Sequence, residues 1–141
     1  AIRRRLGGRD PRGGEWRVVG ARIEEVAALG FGLELQLFEE GGVRACFSGH
    51  EHNFQHSRHR AIDYFVSGAG SKIRSGVPSR MKDGHTVSWS PTCHFLLVTI
   101  NGDAMIVRAI GDDDNGVLRE IERFDPEGKP VTGAITVPPV G

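Results

Sequence analysis

Gly49-His50-Glu51-His52-Asn53-Phe54 sets two imidazoles one residue apart, directly after the run Val43-Arg44-Ala45-Cys46-Phe47. That run is short, apolar-rich and bounded by glycine, the character of an inner β-strand. Gly49 allows a tight turn at its end without a Cβ penalty. A strand followed at once by a histidine loop limits the fold, because open α/β sheets place ligands at the carboxyl ends of their strands. Neutral imidazole is the commonest side-chain metal ligand, so His50 and His52 on one short loop can serve one ion or two neighbouring ions. The residues therefore point first to metal chemistry built on a sheet.

Upstream, Leu33, Leu35, Leu37 and Phe38 lead into Glu39-Glu40-Gly41-Gly42. This reads as a helix end with glycine in the left-handed cap. Ala21 to Leu29 carries Ile23, Val26, Ala27 and Leu29 with Glu24 and Glu25 opposite, which predicts a short amphipathic helix. Trp16 to Val19 predicts a strand, and Ala1 to Glu15, rich in glycine and arginine, an irregular basic lead-in. Downstream, strands are expected over Ala61 to Ser67 and Thr86 to Trp89, with a long polar connection from Gly68 to Gly84 between them. Phe95 to Ile100 and Ala104 to Ala109 flank Asn101-Gly102-Asp103, the strongest hairpin signal in the chain. Val117 to Phe124 reads as a last strand or extended arm, Asp125-Pro126-Glu127-Gly128 as a turn, and Val131 onward as an extended, frayed tail. The pattern is αβ early and antiparallel β after about residue 60.

Val43 to Asn53, VRACFSGHEHN, resembles the last metal-binding motif, Gly-His-x-His, of the calcineurin-like metallophosphoesterases. It is most similar to the purple and tartrate-resistant acid phosphatase branch, where an asparagine often follows the second histidine. Tyr64 to Gly70, YFVSGAG, is similar to the strand and glycine turn that follow this motif there, and the 95–109 hairpin resembles the closing strands. The match covers roughly Leu35 to Ile110. It implies an α/β (α+β) fold, the C-terminal half of a mixed β-sandwich with flanking helices. Residues 1–15 would then be a lead-in, 16–124 a partial phosphoesterase domain and 125–141 a C-terminal tail.

The resemblance also implies an activity: hydrolysis of phosphate monoesters, or less commonly diesters, by two metal ions about 3.5–4 Å apart that generate a hydroxide nucleophile. His50 would bind one metal and His52 the other, the ions being iron, zinc or manganese. His56 and Arg58 lie just past the motif, where a side chain could touch a phosphate at the rim. The family also uses Asp-x-His, Gly-Asp-x-x-Asp or -Tyr, and Gly-Asn-His-Glu or -Asp motifs, and no carboxylate pair here stands in an equivalent setting. A further family histidine should follow Trp16-Arg17-Val18-Val19-Gly20, and Ala21-Arg22-Ile23 stands there instead. The expectation is a piece of a longer enzyme, beginning at Ala1 rather than Met, that binds metal weakly and turns over little substrate by itself. Two other readings stay open: a non-catalytic binding or scaffold domain that keeps the half-fold, and a small zinc domain on His50, His52, His56 and His59.

Composition bears on partners. Among 141 residues, 18 Lys and Arg balance 18 Asp and Glu, so net charge gives no general attraction to nucleic acid or anionic membrane. No run approaches the roughly 18 apolar residues of a membrane span. The resemblance leans towards a secreted or periplasmic setting, while the residues themselves leave compartment and oligomeric state open. Cys46 and Cys93, the two cysteines, leave both a disulfide and two free thiols possible. Ser48 and Ser67 lack nucleophile-elbow context, and His85 and His94 read as structural or exposed.

Overall fold

The computed structural model describes residues 5–9, 15–19 and 31–139. Helix α1 (Phe31–Glu40) ends as its glycines dictate. Gly42 takes φ 65°, its N–H reaches Glu39 O at 3.1 Å, and Val43 N–H reaches back to Phe38 O at 2.9 Å. These are the paired bonds of a Schellman cap. The chain then enters the strand that carries the histidine loop.

Arg5–Arg9 (β1) and Glu15–Val19 (β2) pair as an antiparallel hairpin. Ala45–Ser48 (β3), Phe54–His59 (β4), Ile62–Ser67 (β5), Thr86–Ser90 (β6), Phe95–Asn101 (β7), Ala104–Asp112 (β8), Leu118–Glu120 (β9), Arg123–Phe124 (β10), Pro130–Val131 (β11) and Ile135–Val137 (β12) follow. They form a six-stranded sheet in the order β11-β10-β6-β4-β5-β3 and a second sheet in the order β12-β8-β7, with β9 beside β8. The first sheet is mixed: β3 runs parallel to β5, whereas β4 is antiparallel to both β5 and β6. The two sheets bury one core between them, formed by Phe54 and Phe65 from the first and Val107, Ala109, Ile135 and Val137 from the second, with Ile121. The fold is β-rich with a mixed sheet, and α1 is the one helix among the described residues.

Several expectations change. Arg5–Arg9 is a strand within the stretch read as irregular. The predicted Ala21–Leu29 helix lies outside the described residues. Val117 to Phe124 is two strands, not one, and Ile121 between them is buried as the chain crosses from the second sheet to the first. The supposedly frayed tail contains β12, whose Ile135 and Val137 point into the core while Thr136 between them stays exposed. Cys46 and Cys93 are both free thiols.

The largest difference is β4. Phe54-Gln55-His56-Ser57-Arg58-His59 has too little apolar character to read as a central strand, yet it sits between β5 and β6. Phe54 and His56 are buried while Arg58, on the same face, is exposed, and the polar pair is tolerated because β5 presents Asp63 opposite Arg58 and within reach of His56. Asp63 is 0 % exposed. Its carboxylate accepts Arg58 Nε at 3.0 Å and Nη2 at 3.2 Å, and lies 2.6 Å from His56 Nε2. Arg58 Nη2 also donates to Thr136 O at 3.2 Å, while Arg44 donates to Val137 O and Pro138 O. The buried charge thus holds β4 to β5, and its arginine reaches the backbone of β12 in the other sheet.

Removing one partner of a buried, hydrogen-bonded charge leaves the rest uncompensated, at a cost of about 3–5 kcal/mol. Asp63→Ala should therefore lower the unfolding free energy by about that amount in urea titrations. Arg58→Ala should cost distinctly less, since that side chain is partly solvated.

Candidate metal centre

The histidine loop begins where β3 stops hydrogen bonding to β5. The paired register ends at Ser48↔Val66, and both strands leave the sheet at the same carboxyl edge, β3 into Gly49-His50 and β5 into Gly68-Ala69-Gly70. This is the edge at which parallel strands present ligands. The left-handed residue of the turn is His50 itself, at φ 77°, rather than Gly49. A non-glycine residue in that region costs of order 1–3 kcal/mol and persists where its surroundings hold it. His50 is exposed and His52 partly so.

The loop is held from three sides. Gly68 lies so close beneath it that a Cβ there would overlap the carbonyl of Glu51 and crowd His50 N. Arg74 N–H donates to His52 O at 2.7 Å, and Arg74 Nη1 donates to Glu51 Oε2 at 2.7 Å. Asn53, buried at the loop's end, accepts a bond on Oδ1 from Gln55 Nε2 at 2.9 Å and on its backbone oxygen from Gly68 N at 3.4 Å. The backbone contacts are the firmer part, because the Glu51–Arg74 pair is solvated and such pairs contribute about 0–1 kcal/mol.

The other candidates sit elsewhere. His56, expected near the rim, is 3 % exposed, stacked on Phe65 with ring centres 4.8 Å apart, its Nε2 on Asp63 and its Nδ1 without a hydrogen-bond partner. Arg58 is engaged by the same carboxylate. His59 stacks against His85 at 4.2 Å, at the end of β4 away from the histidine loop. His50, His52, His56 and His59 are therefore not gathered round one point, and the zinc-domain reading has no such cluster to rest on. Asp83-Gly84-His85 has the letters of an Asp-x-His motif, but its histidine belongs to that distant stack. Among the described residues, no group of three or more His, Cys, Asp or Glu is placed to hold a metal ion. Burial pushes the Cys46 thiol up to about 11, so it stays protonated and is a poor ligand.

Two residues near the loop that no sequence signal joins, Ser67 and His94, meet here. His94, 6 % exposed, precedes β7, and its backbone N–H donates to Ala69 O at 3.1 Å. Its ring packs edge-on against Phe54 and lies 3.0 Å from Ser67 Oγ. Burial lowers its pKa from the ordinary histidine value, with the Thr92 carbonyl opposing in part. No local signal marks this contact, because it forms only where the two sheets meet. No protein-family model and no curated protein matches this chain. No helix among the described residues is long and apolar enough to cross a membrane.

Gly68→Ala should move the histidine loop, because the obstacle is backbone rather than a flexible side-chain end. The expected result is a stability loss of about 1–3 kcal/mol, as for other overpacked sites. The His50 and His52 imidazole NMR signals should shift while those of His59 and His85 stay in place.

Proposed function

We propose that this chain carries the last metal-binding loop of a two-metal phosphoesterase, a hydrolase acting on phosphate esters in the manner of the acid phosphatases. The observation that carries the reading is the exposed His50, held in a left-handed conformation where a parallel strand pair leaves the sheet, with His52 two residues on. Such backbone is found at ligand sites, and here Arg60, Ala61, Arg80 and His85 adopt it too, at turns away from this edge, so the position of His50 carries more than its φ. The donor set fits a share of such a centre. Two imidazoles suit zinc, iron or manganese, and the remaining ligands, three or more per ion, would come from outside the described residues. Metal bound there would supply a hydroxide near neutral pH and neutralise phosphoryl charge. The protein's own contribution is to hold the backbone that carries both ligands, so that the loop itself need not be ordered on binding.

Calorimetric titration with zinc and manganese tests this directly. Weak binding is expected, lost in both His50→Ala and His52→Ala and retained in His85→Ala. Little turnover of a chromogenic phosphate ester by the isolated chain is expected alongside it. Absence of any binding, or binding indifferent to His50 and His52, would contradict the proposal and favour a non-catalytic scaffold.

A further inference from the structure

Ser67 ends β5 at the same sheet edge, and its hydroxyl meets a histidine whose tautomer the backbone fixes. His94 Nδ1 lies 2.8 Å from Thr92 O. A carbonyl oxygen can only accept, so in the neutral ring Nδ1 carries the hydrogen and Nε2 is left as the acceptor. Nε2 is the atom 3.0 Å from Ser67 Oγ. The hydroxyl therefore donates to Nε2, with its oxygen lone pairs turned away from the imidazole. Nucleophile, base and orienting group stand in hydrogen-bond sequence, the arrangement that activates a serine. The orienting group is a neutral carbonyl rather than a carboxylate, so activation should be weaker than in a full triad. His94 is buried, its ring edge-on against Phe54, which keeps it largely out of water, whereas Ser67 is partly exposed. Ser48 does not share this setting: its hydroxyl is committed to Phe65 O at 3.4 Å.

We propose that Ser67 and His94 form a nucleophile–base pair that accepts an acyl group from activated carboxylic esters, independently of any metal. In the forming step Ser67 Oγ attacks the ester carbonyl carbon while its proton passes to His94 Nε2. The bond from that carbon to the leaving oxygen then breaks, and the departing alkoxide or phenolate takes the proton from Nε2. The products are an acyl-serine and the free alcohol or phenol. Hydrolysis reverses the roles, water giving its proton to Nε2 as it attacks the acyl carbon, and Nε2 returning it to Ser67.

The pair is tested on the intact chain with p-nitrophenyl acetate, following phenolate release and locating the acetyl group by peptide mass mapping, with chelator present throughout. Acetylation at Ser67 is expected, and it should vanish in Ser67→Ala. It should slow by at least about 100-fold in His94→Gln, the lower end of what a positioned general base supplies. Urea should abolish the selectivity in the wild-type chain, a control that requires no variant to fold. A purely structural hydrogen bond would leave Ser67 no more reactive than the exposed Ser71 or Ser75. Equal acetylation of those serines, none at Ser67, or a rate in folded His94→Gln equal to wild type would each overturn the proposal. Because the chelator removes metal, the result stands apart from the fate of the phosphoesterase reading.

Discussion

A fully buried carboxylate ties the two sheets of this structure to one another. Asp63 is fully enclosed, and an isolated charge in that position would be prohibitive. Arg58 and His56 make it tolerable, and in doing so they decide which strand lies beside β5. A polar segment that would otherwise remain a loop becomes the central strand of the first sheet. Arg58 and Arg44 then extend from that side of the molecule to the carbonyls of Thr136, Val137 and Pro138, so β12 closes the core over Phe54 and Phe65. Burial of such groups is weak evidence for stability in itself. Here the carboxylate's bonds join β4 to β5, and through Arg58 they reach β12 in the other sheet.

That strand order places the chemistry. With β4 and β3 flanking β5, the loop joining β3 to β4 must cross the carboxyl edge of β5, where it meets Gly68. The histidines ride on that crossing, and the left-handed backbone of His50 is its consequence. The same edge receives the start of β7 from the second sheet, through the bond from His94 N–H to Ala69 O. His50 and His52 on the β3–β4 loop, Ser67 at the end of β5 and His94 just before β7 thus lie along one edge. The core-facing carboxylate network and the edge chemistry stand at different heights along β4 and β5, so the tightly bonded His56 plays a different part from His50 only six residues earlier.

Elements whose signals are local were legible in the sequence. The Gly-Gly cap of α1, the β3 run, the histidine loop and the β7–β8 hairpin each carry their instruction within a few residues. What failed depends on partners distant in the chain. β4 has a buried His56 and a neighbouring Arg58 that make sense only once Asp63 is there to bond both. The alternation Ile135-Thr136-Val137 was hidden by the prolines after it and becomes a strand only because β8 offers an edge. The pair His50 and His52 could be named from spacing alone, whereas the need for glycine at position 68 follows from the crossing of two loops. The Ser67–His94 bond is likewise invisible until the sheets are packed.

The proposal that His50 and His52 share one metal-binding region, apart from the other histidines, rests on their place on one loop. Paramagnetic broadening of the imidazole NMR signals by substoichiometric manganese tests it most directly. The account expects His50 and His52 to broaden together at the lowest manganese addition, with His56, His59, His85 and His94 still sharp. Broadening of His59 and His85 first, or uniform broadening of all exposed imidazoles, would contradict it.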